Sequence, residues 1–248
     1  MTALPDVPMV GPGDDIAGLI AAAARDCGEP LADGDILVIA QKIVSKAEGR
    51  AVDLADVEPS EAAKQLAARC AKDPRQMHLV LDESSEVLRA RPGVVIVALH
   101  NGVVLANAGI DRSNVTDDGA ESVLLLPADP DASAAAIRDG LGALTGVNVG
   151  VIIADSIGRA WRQGTIGTAI GAAGVVCLDD LRGRPDLFGR QLETTQVGTA
   201  DELASAASLL LGQAAEGTPV VVIRGASSAI GDGRASDLVR PVELDMFR

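Results

Sequence analysis

The stretch Asp33-Gly34-Asp35-Ile36-Leu37-Val38-Ile39-Ala40 runs without a break into Gln41-Lys42-Ile43-Val44-Ser45-Lys46-Ala47-Glu48-Gly49-Arg50, and its reading decides the fold. A short apolar run fenced by acidic turn residues is a buried strand. The largely polar residues after it read as a loop at the strand's mouth. Three cations (Lys42, Lys46, Arg50), the Ser45 hydroxyl and a flexible Gly49 are the parts of an anion cradle. The plainer alternative is a solvated loop, because loops at strand ends are polar in any case.

Working outward, Asp14 to Cys27 carries apolar residues at helical spacing behind the acidic start Gly13-Asp14-Asp15, so a helix precedes the strand. Pro59-Ser60-Glu61 opens a second helix through Ala71, and Pro74 to Arg89 reads as helical too. Val94 to Leu99 and Val103 to Ala106 flank His100-Asn101-Gly102, and Asn-Gly between apolar runs is a strong hairpin signal. A strand at Ser122 to Leu126, a helix from Asp131 to Leu144 and a strand at Val149 to Ala154 follow. Thr199-Ala200-Asp201-Glu202 matches a capping box that opens a helix through Leu211, and Pro219 to Ile223 is a last strand. Hairpin strands mixed with helix-linked strands predict an α+β fold with a mixed sheet, a β-hairpin and flanking helices. The glycine-rich stretches Gly158 to Gly174 and Gly225 to Gly233 read as mobile or ligand-facing.

Composition narrows the function. A chain of 248 residues buries about 70% or more of its unfolded surface, enough for one large domain or two small lobes. Its 21 Lys and Arg stand against 35 Asp and Glu, a formal charge of −14, which repels nucleic-acid backbones. With two Phe, one Trp and no Tyr, base-stacking platforms are excluded as well. Cys27, Cys70 and Cys177 lie far apart without a CxxC spacing, which reads as reduced thiols filling a core in a cytoplasmic protein. No apolar stretch reaches membrane-span length. No GxxxxGK[ST] occurs, no GxGxxG follows a strand, and neither His78 nor His100 has a nucleophile motif beside it.

Two aspartates stand just beyond apolar strands: Asp111, close to Asn114, and Asp155, beside Ser156. Strand-end carboxylates with neighbouring hydroxyl or amide oxygens suit Mg²⁺ or Mn²⁺. The alternative is that each caps its own turn. The segment Gly158-Arg159-Ala160-Trp161-Arg162-Gln163-Gly164 sets the only Trp between two arginines, which suits pairing with a carboxylate or phosphate. Here the alternative is a Trp that anchors a long loop to the core while the arginines are solvated.

Taken together, several segments resemble the coenzyme F420-0:L-glutamate ligase family, and are similar to the N-terminal ligase domain of the bifunctional actinobacterial enzyme. They are Gly13-Asp14-Asp15, Ile43 to Arg50, Asn107-Ala108-Gly109-Ile110-Asp111 with Ser113-Asn114, and Leu125-Leu126-Pro127 with Asp129-Pro130-Asp131. Asp155 with Gly158-Arg159, Gly189 with Leu192-Glu193, and Ala200-Asp201-Glu202 continue the series in order along the chain. Each is weak alone; the combination is specific.

The resemblance implies a GTP-dependent ligase that joins L-glutamate to coenzyme F420-0 through an acyl phosphate, releasing GDP and phosphate. It implies two divalent cations, Mg²⁺ or Mn²⁺, with K⁺ as a further cation, and an intertwined homodimer with the active site near the interface. Asp111 and Asp155 are then catalytic metal ligands, joined as metal ligands by Ser156 and Gln213. Asp6, Val7, Pro8, Met9, Gln41, Lys46, Asn114, Leu211, Gly212, Gln213, Gly217 and Thr218 fall at GTP-contacting positions, and Arg159, Trp161 and Arg162 are assigned to substrate. The chain departs from the family pattern where Ser156 replaces Thr, Gln41 replaces Ser, Gln213 replaces a metal-binding Glu and Asp6 replaces Gly. A second reading follows from those losses: a non-catalytic or altered-specificity relative that binds a nucleotide or anion. Residues 1–248 are expected to form one ligase domain, with 240–248 resembling the start of a linker into an absent C-terminal domain.

Overall fold

The computed structural model describes residues 1–112 and 121–247. In chain order its elements begin with strand β1 (Thr2–Ala3), helix α1 (Ile16–Asp26), β2 (Ile36–Ala40), α2 (Gln41–Ala47), β3 (Ala51–Asp53), α3 (Glu61–Cys70) and α4 (Pro74–Asp82). Next come β4 (Ser84–Arg91), β5 (Val94–Leu99), β6 (Val104–Ala106), β7 (Ser122–Leu124), α5 (Pro130–Thr145), β8 (Gly150–Gly158) and β9 (Thr165–Ala173). The last are β10 (Asp179–Asp180), β11 (Gln196–Val197), α6 (Thr199–Leu211) and β12 (Val220–Ile223).

The fold is α+β, as expected. Its centre is a five-stranded mixed sheet in the order β1-β12-β2-β8-β9, in which only β2 and β8 are parallel. Ile36 to Ile39 of β2 are 0% exposed, because helices cover both faces of the strand; each such side chain contributes about 1.5–3 kcal/mol by leaving water. Alternate residues split between two cores. Leu37, Ile39, Val151 and Ile153 pack with α1, α5 and the β4-β5-β6 sheet, whereas Ile36, Val38, Ile152 and Ala154 pack with Ala200, Ala204 and Ala207 of α6. The hairpin β5–β6 forms where Asn-Gly placed it. No helix among the described residues is long and apolar enough to cross a membrane, and all three cysteines are free.

Four local readings change. The expected loop after β2 is helix α2. Gln41, Val44 and Ser45 are buried on one side of it, at the three- and four-residue spacing of a helix face. Gly49 (φ 67) then ends it, with Arg50 N–H donating to Ser45 O at 2.9 Å, the Schellman pattern of a helix stop rather than a flexible cradle. Second, the helix expected to reach Arg89 stops at Asp82, and Ser84–Arg91 pairs antiparallel with β5 instead. The Ser84 hydroxyl bonds back to Val80 O at 2.7 Å at the break. Third, the supposed capping box is not used: Gly198 is the N-cap of α6, and the Asp201 carboxylate accepts from Ala169 N–H of β9 (2.9 Å).

Fourth, much of Gly158 to Gly174 is strand β9, an ordered edge of the central sheet. Its glycines mark close approach, not mobility: a Cβ on Gly167 would fall on Ala204 O of α6, and one on Gly171 on Pro130 O of α5. Within Gly225 to Gly233, Ser227–Ala229 forms a short 3₁₀ turn, and Val175 bridges Ile230 and Gly233.

Candidate functional site

Sheet topology gathers one end of the molecule. β2 and β8 are parallel, so the segments that follow their C-terminal ends emerge together. β12 is antiparallel to β2, so the segment leading into it arrives at that same end, where Ala40 N–H donates to Pro219 O (2.8 Å). β1 is antiparallel to β12, and Leu4 N–H donates to Val220 O (2.9 Å), so the segment after β1 leaves there too. This end therefore collects Asp6 to Met9, Gln41 to Lys46, Asp155 and Ser156, Arg159 to Arg162, and Gly212 to Thr218. Asn114 lies outside the described residues.

Asp111 is brought in from another part of the chain and held at both levels. Its main chain makes a reciprocal bridge with Leu124, at 3.0 and 2.9 Å. Its Oδ2 accepts from Gln41 Nε2 at 2.9 Å, and Lys42 Nζ stands 3.4 Å from the same oxygen. Burial raises the Asp111 pKa above the ordinary carboxylate value, against the lowering effect of Lys42 and Gln41. Asp155, half-buried on β8, is pushed up to about 7 by burial first and by the Asp111 charge second, against the Ser156 N–H that it accepts at 2.8 Å. Two hard oxygen donors that repel each other in a half-buried place suit a divalent cation, whose charge offsets that repulsion. Among the described residues no group of three or more His, Cys, Asp or Glu comes together.

The expected ligands do not share one face. Ser156 pairs with Gly167, the glycine on which α6 packs, whereas Asp155 pairs with Thr168. Successive strand residues point to opposite sides. The Ser156 hydroxyl is thus on the α6 side, away from Asp155 and Asp111. Gln213 is exposed just past the end of α6. The nearby Glu216 carboxylate does not replace the missing Glu, because it folds back on its own loop and accepts from Ala214 N–H at 2.8 Å.

Other expected contacts are placed as follows. Gln41 is 1% exposed, and its side chain bonds Asp111 and Ser45. Asp6 has φ 55, a left-handed conformation in which glycine is at ease and Asp is tolerated, which gives a physical account of the Asp-for-Gly replacement. Val7 packs on the core, while Pro8 and Met9 are exposed. Thr218 Oγ1 donates to Leu210 O at 2.7 Å and ties the 212–218 segment to α6. Trp161 is 89% exposed, which overturns the anchoring alternative; its ring lies 6.4 Å from that of Phe247. Arg159 Nη2 donates to Gln163 O (3.3 Å), while its Nε is buried without a partner among the described residues. The segment 159–162 is set well past Ala154, the last β8 residue paired with β2.

Sequence reasoning missed the Gln41–Ser45 pair and the Lys42–Asp111 contact. The signal was present: residues four apart meet on a helix, and reading 41–47 as a helix would have put Gln41 over Ser45.

The family model described as F420-0:Gamma-glutamyl ligase matches residues 6–225. The coenzyme F420:L-glutamate ligase of Methanothermobacter thermautotrophicus is 50% identical over 244 residues, covering 98% of this chain and 96% of that protein. The protein of the same name from Methanocaldococcus jannaschii is 46% identical over 219 residues (88% and 86%), and that from Archaeoglobus fulgidus 45% over 242 residues (98% and 93%).

Proposed function

The chain belongs to the F420-0:gamma-glutamyl ligase family, and we propose that it joins L-glutamate to coenzyme F420-0 through an amide bond, using GTP and a divalent cation. The observation that carries the reading is the pair Asp111 and Asp155, two carboxylates raised above their ordinary pKa at the end of the sheet where the parallel strands finish. Two carboxylates facing a polyphosphate repel it; with a cation between them they would recruit it.

In this reading the precursor's carboxylate attacks the γ-phosphorus of GTP and GDP leaves; the glutamate amine then attacks the acyl carbon and phosphate leaves. Bound Mg²⁺ or Mn²⁺ spreads the charge that develops on the transferred phosphoryl oxygens. Asp111 and Asp155 would hold that cation, while Lys42, 3.4 Å from Asp111 Oδ2, offsets carboxylate charge there. Lys46, Asn114, the 6–9 segment and the 211–218 segment serve the nucleotide, and Arg159, Trp161 and Arg162 the acidic acceptor. Arginine suits that task because its fork pairs with carboxylate and phosphate oxygens. Ser156 and Gln213 would be the residues to hold a second cation, with an amide oxygen in place of a carboxylate at 213. We propose further that the enzyme is a cytoplasmic homodimer. Leu187 and Phe188, 98% and 95% exposed between β10 and β11, support an arm that a second copy covers, and the three free thiols fit a reducing compartment.

Incubating the protein with F420-0, GTP, L-glutamate and Mg²⁺ or Mn²⁺ and reading product masses tests the proposal. The expected result is a product heavier by one glutamate residue, or a ladder of them. No glutamylated mass with either metal overturns it.

A further inference from the structure

Asp111 can serve a cation only if its carboxylate is aimed, and the structure contains a device that aims it. Gln41 and Ser45 sit one turn apart on α2, 1% and 0% exposed. An ionised carboxylate only accepts hydrogen bonds, so Asp111 Oδ2 must face the amide nitrogen of Gln41, at 2.9 Å. The amide oxygen is then turned inward, where the Ser45 hydroxyl donates to it at 2.8 Å. Lys42 Nζ leans on the same Asp111 oxygen at 3.4 Å, and the Leu124 bridge fixes the main chain. With backbone and Oδ2 both held, the carboxylate has one orientation.

We propose that Gln41 is a positioning residue for Asp111 and that Ser45 is the key that sets the Gln41 amide the right way round, so that Asp111 Oδ1 is presented to the divalent cation. This rests on the metal reading above and goes beyond it by giving Gln41 a task other than nucleotide contact. Without Ser45 the buried amide oxygen has lost its donor, and the amide is free to turn. Without the Gln41 amide the carboxylate can rotate toward Lys42 alone.

The test is Mn²⁺ binding to the metal-free protein, followed by the paramagnetic resonance signal of free Mn²⁺, with melting temperature measured in parallel. Gln41→Met, of similar volume but without hydrogen bonds, is expected to weaken Mn²⁺ by about tenfold, the usual effect of removing a group that orients a metal ligand. Ser45→Ala is expected to weaken it by about threefold alone and to add nothing in the Gln41→Met background, since both act through one amide. Asp111→Asn should weaken it most. Gln41→Met binding Mn²⁺ within twofold of wild type while Asp111→Asn loses it overturns the positioning role and leaves the metal reading standing. Equal Mn²⁺ affinity in wild type and Asp111→Asn overturns both. Should Gln41→Met melt well below wild type, Ser45→Ala decides: a folded variant with wild-type affinity overturns the proposal.

Discussion

At the scale of the residue, Asp155 is the most exposed to test, because burial and Asp111 both act against its charge. Asp155→Asn removes that repulsion and keeps the shape. Turnover is expected to fall by about a thousandfold, the order seen when a group that stabilises transition-state charge is removed, while the melting temperature of the metal-free protein stays level or rises. A melting temperature several degrees lower would mean that Asp155 is structural.

Asp35 behaves in the opposite sense. Burial would raise its pKa, but the Arg224 hydrogen bonds at 2.8 Å and the Ala32 N–H outweigh it and leave the value lowered. A depressed folded pKa means that the stability from this group is full at neutral pH and drains away as the pH falls below the ordinary carboxylate range. Asp35→Asn should therefore lower stability at pH 7, discounted by the solvent that reaches the half-exposed Arg224, and flatten the acid side of the stability profile. Denaturant titrations at pH 7 and pH 3 check both. Asp111 and Asp155 were singled out by their place after apolar runs, whereas Asp35, in front of one, was not. Which partner each found was not readable, because Asp35 and Arg224 are 189 positions apart, a distance that only the closed sheet removes.

At the scale of the element, long apolar periodicity was legible and short polar helices were not. α6 (Thr199–Leu211) and the β5–β6 hairpin stand where spacing and Asn-Gly placed them. α2 was misread because a helix of 7 residues, about two turns, is too short to show a period, and its buried face is partly polar. β9 was misread because its information is absence: Gly167 and Gly171 matter for the room they leave under α6 and α5. Gly171→Ala is accordingly expected to destabilise the protein by about 3 kcal/mol, the upper end of overpacking costs, since the clash is with backbone that cannot swing away. Gly183→Ala, where a Cβ meets no atom but φ is 79, should cost about 1 kcal/mol. Chemical denaturation that ranked them the other way would show that α5 yields easily.

At the scale of the whole molecule, composition argued against more than it assigned: the acidic balance and scarcity of aromatics speak against nucleic acid, but no periodicity pointed to an arm between β10 and β11. Leu187 and Phe188 at that arm give the proposed dimer a direct test. Replacing both with Ser should halve the mass seen in sedimentation with little change in the far-ultraviolet dichroism; an unchanged mass would place the contact elsewhere or nowhere.

The two borders of the central sheet complete the picture. On one side β9 spends the amides of Ala169 and Ala172 on the carboxylates of Asp201 and Asp131 (2.9 and 2.8 Å), and on the other β1 is only two residues long. Two occupied amides on one border and a two-residue strand on the other leave a stray strand less to pair with. The carboxylates that occupy the β9 border come from 32 and 41 positions away, so their neighbourhood in the linear sequence gives no hint of it.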